Sequence, residues 1–205
     1  MTLKLATLIF AGLAAMTFCA APAQARTDVV SYSPVSKDGA IAEGKTLIDL
    51  RYKGECSTGS MVVHNALRCS NARFFRLDPC FRDPSRKASV LCLYSPWDTR
   101  LRRLKVKGKI SSKYSASPGT AWAIELATGD RCTLTTGGTR GFDDAKPERI
   151  AAYNCTSILL WGLPDRSASD WTIWASERDF TDLPYPSRLE HKVNVKTAWV
   201  GAALR

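Results

Sequence analysis

Apolar and polar residues alternate with a period of two in several short stretches, and Gly, Pro and Asp punctuate the gaps between them. In "TLIDLRYKG", Leu47, Asp49 and Arg51 fall on one side of an extended chain and Ile48, Leu50 and Tyr52 on the other, with Gly54 as the stop. Side chains on a strand point to opposite faces in turn, so this pattern predicts a strand. "LRRLKVKGKI" places Arg103, Lys105, Lys107 and Lys109 opposite Leu104 and Val106. Ser95-Pro96 ahead of it suits a helix start, but Val106 and Ile110 prolong the two-residue period and favour a strand. "SVLCLY" and "IAAYNCTSILLWG" are apolar runs, and "WTIWASE" and "KVNVKTAWVG" read as strands. "TAWAIELATGDRCTL" reads as strand, turn at Thr128-Gly129-Asp130, strand. "MVVHNALRC" fits either a strand or a helical turn, and "TTGGTRGFDDAKPER" is a long loop.

Short strands between turn residues, with no sustained helical period, predict an all-β fold: a single antiparallel sandwich or barrel-like domain. Residues 46–205 are expected to form that domain. Residues 26–45 are polar and weakly periodic, and are expected to be a loosely structured lead with one strand candidate at 28–32. The first 25 residues carry Lys4, an apolar run and a small-x-small ending, Ala23-Gln24-Ala25, and read as a cleaved secretory signal peptide. Phe18 before Cys19 argues against lipid attachment there, since such sites take a small residue. No later apolar run reaches the ~20 residues that span a bilayer, so no transmembrane segment is expected. The expected location is the periplasm or the extracellular space.

An exported chain changes the reading of the cysteines. Cys19 leaves with the signal, and an even set remains: Cys56, Cys69, Cys80, Cys92, Cys132 and Cys155. In an oxidising compartment such a set reads as disulfides. There is no C-x-x-C redox pair and no zinc-type ligand spacing, so neither metal nor cofactor is expected. Connectivity is open from sequence. Neighbour pairing, Cys56–Cys69, Cys80–Cys92 and Cys132–Cys155, is favoured because short closures suit adjacent strands, each adding ~2–4 kcal/mol.

Charge suggests the partner. Removing Lys4 from 29 Lys plus Arg leaves 28 against 19 Asp plus Glu, a net of +9. The densest run, a candidate anion-binding set, is Arg100, Arg102, Arg103, Lys105, Lys107 and Lys109; if the strand forms, four of them, Arg103, Lys105, Lys107 and Lys109, make one ridge suited to a row of anions. The alternative is a solvated face whose lysines discourage edge-to-edge pairing. Phe74, Phe75 and Phe81 lie nearby in sequence and could stack on bases, but an exported chain is not expected to meet nucleic acid. Six tryptophans, at 97, 122, 161, 171, 174 and 199, read as core or loop anchors, or else as a sugar platform. On a strand Trp171 and Trp174 would face opposite sides.

Candidate catalytic residues are sparse. His64 and His191 are the two histidines, and no G-x-S-x-G elbow accompanies them. Asp143-Asp144 are adjacent in a loop, and Glu125 lies in a strand candidate with no evident second acid.

Taken in order, "DPCF", "VLCLYSPW", "AWAIELATGDRCTLTTG", "YNC" and "DRSASDWTIW" resemble a group of small secreted bacterial proteins of uncharacterised function. The likeness runs from about Cys69 to the C-terminus. It implies export and a shared cysteine pattern, and it carries no reaction or ligand. The expectation is a secreted, non-enzymatic, monomeric binding protein. Its partner would be an anionic envelope component or an exported or host protein. The alternative is a secreted hydrolase using Glu125, Asp170 or a histidine.

Overall fold

The structure is a computed structural model that describes residues 26–36, 38–74, 76–110, 116–136, 142–143, 146–177 and 190–201, with backbone alone for 142–143 and 146–149. Among these residues the chain forms strands and no helix, in keeping with the all-β expectation. The strands are β1 (Asp28–Tyr32), β2 (Thr46–Asp49), β3 (Gly54–Gly59), β4 (Leu67–Asn71), β5 (Leu77–Arg82), β6 (Ser89–Cys92) and β7 (Arg100–Lys105). They continue with β8 (Ala121–Leu126), β9 (Arg131–Leu134), β10 (Phe142–Asp143), β11 (Lys146–Asn154), β12 (Ile158–Asp165), β13 (Thr172–Glu177) and β14 (His191–Gly201). No described helix is long and apolar enough to cross a membrane.

The second half closes on itself. Strands β8, β9, β11, β12, β13 and β14 pair antiparallel in that order, and β14 returns to β8, which makes a six-stranded barrel. Closure leaves the barrel strands without open edges. Its interior is filled by Ile124, Leu126, Leu160, Ile173, Val195 and Ala198, among others. Along β14 the simple alternation expected from sequence is interrupted. Val195 and Ala198 both point inward, because the pairing with β8 shifts register between Val195 and Thr197. A bulge of this kind moves all later side chains to the other face. Tyr153 donates to the Ala121 carbonyl at 2.7 Å inside the barrel, and burial pushes its hydroxyl pKa up.

The first half is a six-stranded sheet in the order β2-β7-β6-β5-β4-β3. It curls until Gly54 at the start of β3 bridges Val106 just beyond β7. The close approach requires glycine, since a Cβ at residue 54 would lie 2.4 Å from the Ser70 carbonyl and 2.7 Å from a Leu104 methyl. Leu67, Leu77, Val90 and Leu104 fill the inside of the curl. A third apolar cluster joins sheet and barrel. Val62, Val63, Leu91, Leu93 and Leu101 meet Trp122 and Ala123, with Tyr32, Trp97 and Trp199 packed against them.

Within the N-terminal lead, β1 lies parallel to β14, from Asp28 opposite Thr197 to Tyr32 opposite Gly201. Thr27 anchors it. Its buried hydroxyl donates to the Val195 carbonyl at 2.7 Å and accepts from the Trp171 N–H at 2.7 Å. This part of the lead is therefore built into the fold.

The three disulfides pair as neighbours: Cys56–Cys69, Cys80–Cys92 and Cys132–Cys155. Each joins adjacent antiparallel strands: β3 to β4, β5 to β6, and β9 to the residue after β11. Cys80 and Cys92 stand directly opposite each other in register, and their loop encloses the Asp83-Pro84-Ser85 turn.

Candidate anion-binding surface

The basic run of β7 is divided by the fold. Arg102 and Arg103 are buried, at 7 % and 9 % exposure, whereas Arg100, Lys105, Lys107 and Lys109 are exposed. Arg103 donates from Nε to an Asp83 carboxylate oxygen at 2.7 Å and lies 3.5 Å from Asp49. The other Asp83 oxygen accepts from the Ser85 N–H (2.9 Å) and hydroxyl (2.7 Å), so one carboxylate shapes the turn and holds the arginine. Burial would raise the Asp83 pKa, but the Ser85 and Arg103 hydrogen bonds outweigh it and hold Asp83 below the usual carboxylate range. Arg102 turns to the opposite face, donates to Asp98 at 2.7 Å, and stacks over Tyr94 at 4.5 Å. The Asp98 carboxyl is also low, because Arg102 and the Arg100 N–H outweigh its burial.

The expected four-cation ridge is not continuous. β7 ends at Lys105, and Gly108 takes φ +72°, a left-handed turn conformation that favours glycine, so Lys109 leaves the strand line. Arg103, counted on the ridge face by alternation, is consumed by Asp83 and Asp49.

The fold supplies other cations instead. The Val106 N–H donates to the Ala88 carbonyl at 2.8 Å, and the Lys107 N–H to the Gly54 carbonyl at 2.7 Å. These two bonds bring Lys87 on the β5–β6 turn and Lys53 before β3 to the end of β7. Lys53, Lys87, Lys105 and Lys107 are all exposed there, and none has an ion pair among the described residues. Arg86 on the same turn faces Asp49 at 3.7 Å.

A second basic feature lies on the outer face of β3 and β4. Arg68 (β4) and Arg76 (before β5) both donate to the Thr136 carbonyl, at 3.2 and 2.9 Å. They border a cavity of about 320 Å³. The sequence signal is the hairpin "SNARFFRL". Asn71 caps the turn by accepting from the N–H groups of Arg73 (3.0 Å) and Phe74 (2.6 Å). That folds the two arginines to one face.

The remaining candidates are placed as follows. His64 Nδ1 sits 2.9 Å from the Ala116 carbonyl, and His191 opens β14 on the outside of the barrel. Glu125 accepts from Lys196 at 2.8 Å and lies 3.5 Å from Arg131. The Lys196 hydrogen bond holds Glu125 low and ionised, which suits an ion pair rather than a proton donor. Asp170 is half-buried in the loop before β13, and neither histidine meets it or Glu125 in any described contact. Asp144 and Phe75 lie outside the described residues, as does the side chain of Asp143. Phe74 and Phe81 pack against the two cores of the curled sheet. Of the tryptophans, Trp122 and Trp161 are buried, Trp97, Trp171 and Trp199 are half-buried, and Trp174 is 37 % exposed beneath Lys192. One described cluster has metal-ligand types within reach: Cys69, Cys80 and Cys92, whose sulfurs lie within 4.8 Å of one another. Their sulfurs are committed to disulfides.

No protein-family model, no curated protein and no solved structure matches the chain.

Proposed function

We propose that the chain is an exported, disulfide-stapled binding protein that recognises an anionic partner at the cell envelope or outside the cell, by surface charge rather than by catalysis. The lysine cluster at the end of the curled sheet carries this reading. Four exposed lysines from three separate segments, Lys53, Lys87, Lys105 and Lys107, are brought to the end of β7 by the Val106 and Lys107 backbone hydrogen bonds, and the fold uses the nearby acids Asp49 and Asp83 elsewhere. Three disulfides fit an oxidising compartment. A flexible lysine surface suits a repeating anionic array, because ammonium groups act as point charges without fixed geometry.

The test is co-sedimentation with vesicles of phosphatidylglycerol mixed with phosphatidylcholine, set against phosphatidylcholine alone, and retention on an acidic polysaccharide. Binding is expected to the anionic forms alone and to weaken steeply between 0.1 and about 1 M salt, as the screening length falls from about 10 to about 3 Å. Each lysine near such a surface contributes about 1 kcal/mol. The Lys87→Ala/Lys105→Ala/Lys107→Ala variant is therefore expected to bind roughly a hundredfold more weakly with its unfolding curve unchanged. Binding that ignores salt, or survives the triple substitution, refutes the proposal.

A further inference from the structure

Methionine stands at positions 1, 16 and 61. The first two belong to the expected signal peptide, so Met61 is the methionine that an exported chain would keep. It follows β3 in the turn that runs to Ala66. Met61 is 46 % exposed, while Ser60, Val62 and Val63 around it are buried. The turn is held from within. The Ser60 hydroxyl accepts from the Val62 N–H (3.1 Å) and the Val63 N–H (2.9 Å), and donates to Asp78. The Met61 N–H donates to the other Asp78 oxygen at 3.1 Å. Val62 and Val63 enter the apolar cluster between sheet and barrel, whereas Met61 belongs to none of the three described clusters. Its thioether is thus fixed at the backbone and presented to solvent.

The sulfur has a cationic neighbour. Arg68 on β4 directs Nη1 at the Met61 Sδ, and its Nη2 donates to the Thr136 carbonyl at 3.2 Å. A thioether is a weak acceptor, so the first contact uses little of what a guanidinium N–H can give. A sulfoxide is polar, and a hydrogen bond to it from a charged donor is roughly twice as strong as one between neutral groups. Oxidation of methionine usually disrupts a protein because it places that polar group in a core. At Met61 no described core packing is at stake, and a donor already points at the atom that would carry the oxygen.

We propose that Met61 is an oxidation site, at which a hydroperoxide turns the thioether into a sulfoxide and Arg68 takes the new oxygen. A sulfur lone pair attacks one peroxide oxygen, and the S–O bond forms as the O–O bond breaks. With hydrogen peroxide, the leaving hydroxide takes the proton from the transferred oxygen and departs as water. Sulfur is oxidised by two electrons and the peroxide is reduced by two. Arg68 is then held at both ends of its fork, by Met61 in the turn of the curled sheet and by Thr136 just after β9 of the barrel. Oxidation therefore tightens the junction between the two halves. This goes beyond the anionic-partner reading and uses none of its lysines.

Treatment with hydrogen peroxide, followed by peptide mapping and amide exchange, tests it. Mapping is expected to find one added oxygen, about 16 Da, on the peptide that holds Met61. The Val62, Val63 and Arg68 amides are then expected to exchange about tenfold more slowly, the worth of a hydrogen bond to a charged group. Methionine sulfoxide reductase is expected to restore the faster rate. An unmodified Met61, or exchange that is unchanged or faster after oxidation, overturns the proposal. Arg68→Gln is expected to take up the oxygen and gain no protection; an equal gain there means that Arg68 does not hold the oxygen. Met61→Gln sets a carbonyl oxygen where the sulfoxide oxygen would stand, at an exposed position, and is expected to show the slower exchange without peroxide. Met61→Leu is expected to show neither the oxygen nor the gain. This pair keeps the test decisive should Arg68→Gln fail to fold, because equal exchange in Met61→Gln and Met61→Leu also overturns the proposal.

Discussion

Replacing Arg103 with Met separates a structural arginine from a ligand-binding one. The substitution keeps a long apolar stem and deletes the charge. It leaves Asp83, whose side chain is 1 % exposed, without its cation. Removing one member of a buried ion pair costs about 3–5 kcal/mol. Asp83 keeps its two Ser85 hydrogen bonds, and the lost Arg103–Asp49 contact is to a carboxylate that is 59 % exposed. The lower end, about 3 kcal/mol, therefore applies. For a chain of this size that lowers Tm by about 6–12 °C. The pH dependence follows from the depressed pKa of Asp83. A carboxyl with a lowered folded-state pKa adds stability that is fully present above the ordinary range, about pH 4, and is lost as pH falls through the folded value. The Tm gap between wild type and Arg103→Met is thus expected to be full at pH 7 and to shrink below about pH 4. Melting followed by circular dichroism measures both. The Asp83→Asn/Arg103→Met double variant should recover part of the loss, since no unpaired charge stays buried. A single variant that melts within about 1 °C of wild type, or one that loses anion affinity with Tm unchanged, refutes the structural assignment.

Two further substitutions probe the closures of the fold. Gly54→Ala forces a methyl into the Ser70 carbonyl and Leu104 where the curled sheet meets itself; overpacking of this kind costs about 1–3 kcal/mol. The urea midpoint should fall accordingly, and an unchanged midpoint would show that the sheet does not close tightly there. Thr27→Val keeps shape but strips both hydrogen bonds of the buried hydroxyl, at a cost of about 2 kcal/mol. Amide exchange in β1 should quicken far more than in β5, and uniform protection in the variant would deny β1 its anchor.

Much of the fold was legible because its signals are local. Alternation and turn residues mark most strands, and cysteines separated by 12, 13 and 23 residues sit where neighbouring strands would place them. What escaped depends on distant residues. Alternation says that Arg102 and Arg103 face opposite ways, but not that Asp98, Asp83 and Asp49 await them. The bulge at Val195–Thr197 is set by β8, about 70 residues earlier, and no pattern within "KVNVKTAWVG" announces it. That Arg76 lies beside Arg68 was not legible for a related reason. The two are ordinary surface arginines until the Asn71 turn folds them together and Thr136 supplies a common acceptor.

β14 carries a consequence for how the chain matures. It is the last described strand, yet β8, β13 and β1 all pair with it. Thr27, among the first residues behind the expected signal peptide, reaches across 168 positions to Val195. Such pairings form late, since a long loop must close before they contribute. The earliest strand to emerge must wait for the latest. A nascent or prematurely ended chain would present three unpaired strand edges at once, each a template for another chain. Arrival of β14 thus acts as a completeness check: one strand converts an aggregation-prone intermediate into a barrel closed along its whole circumference.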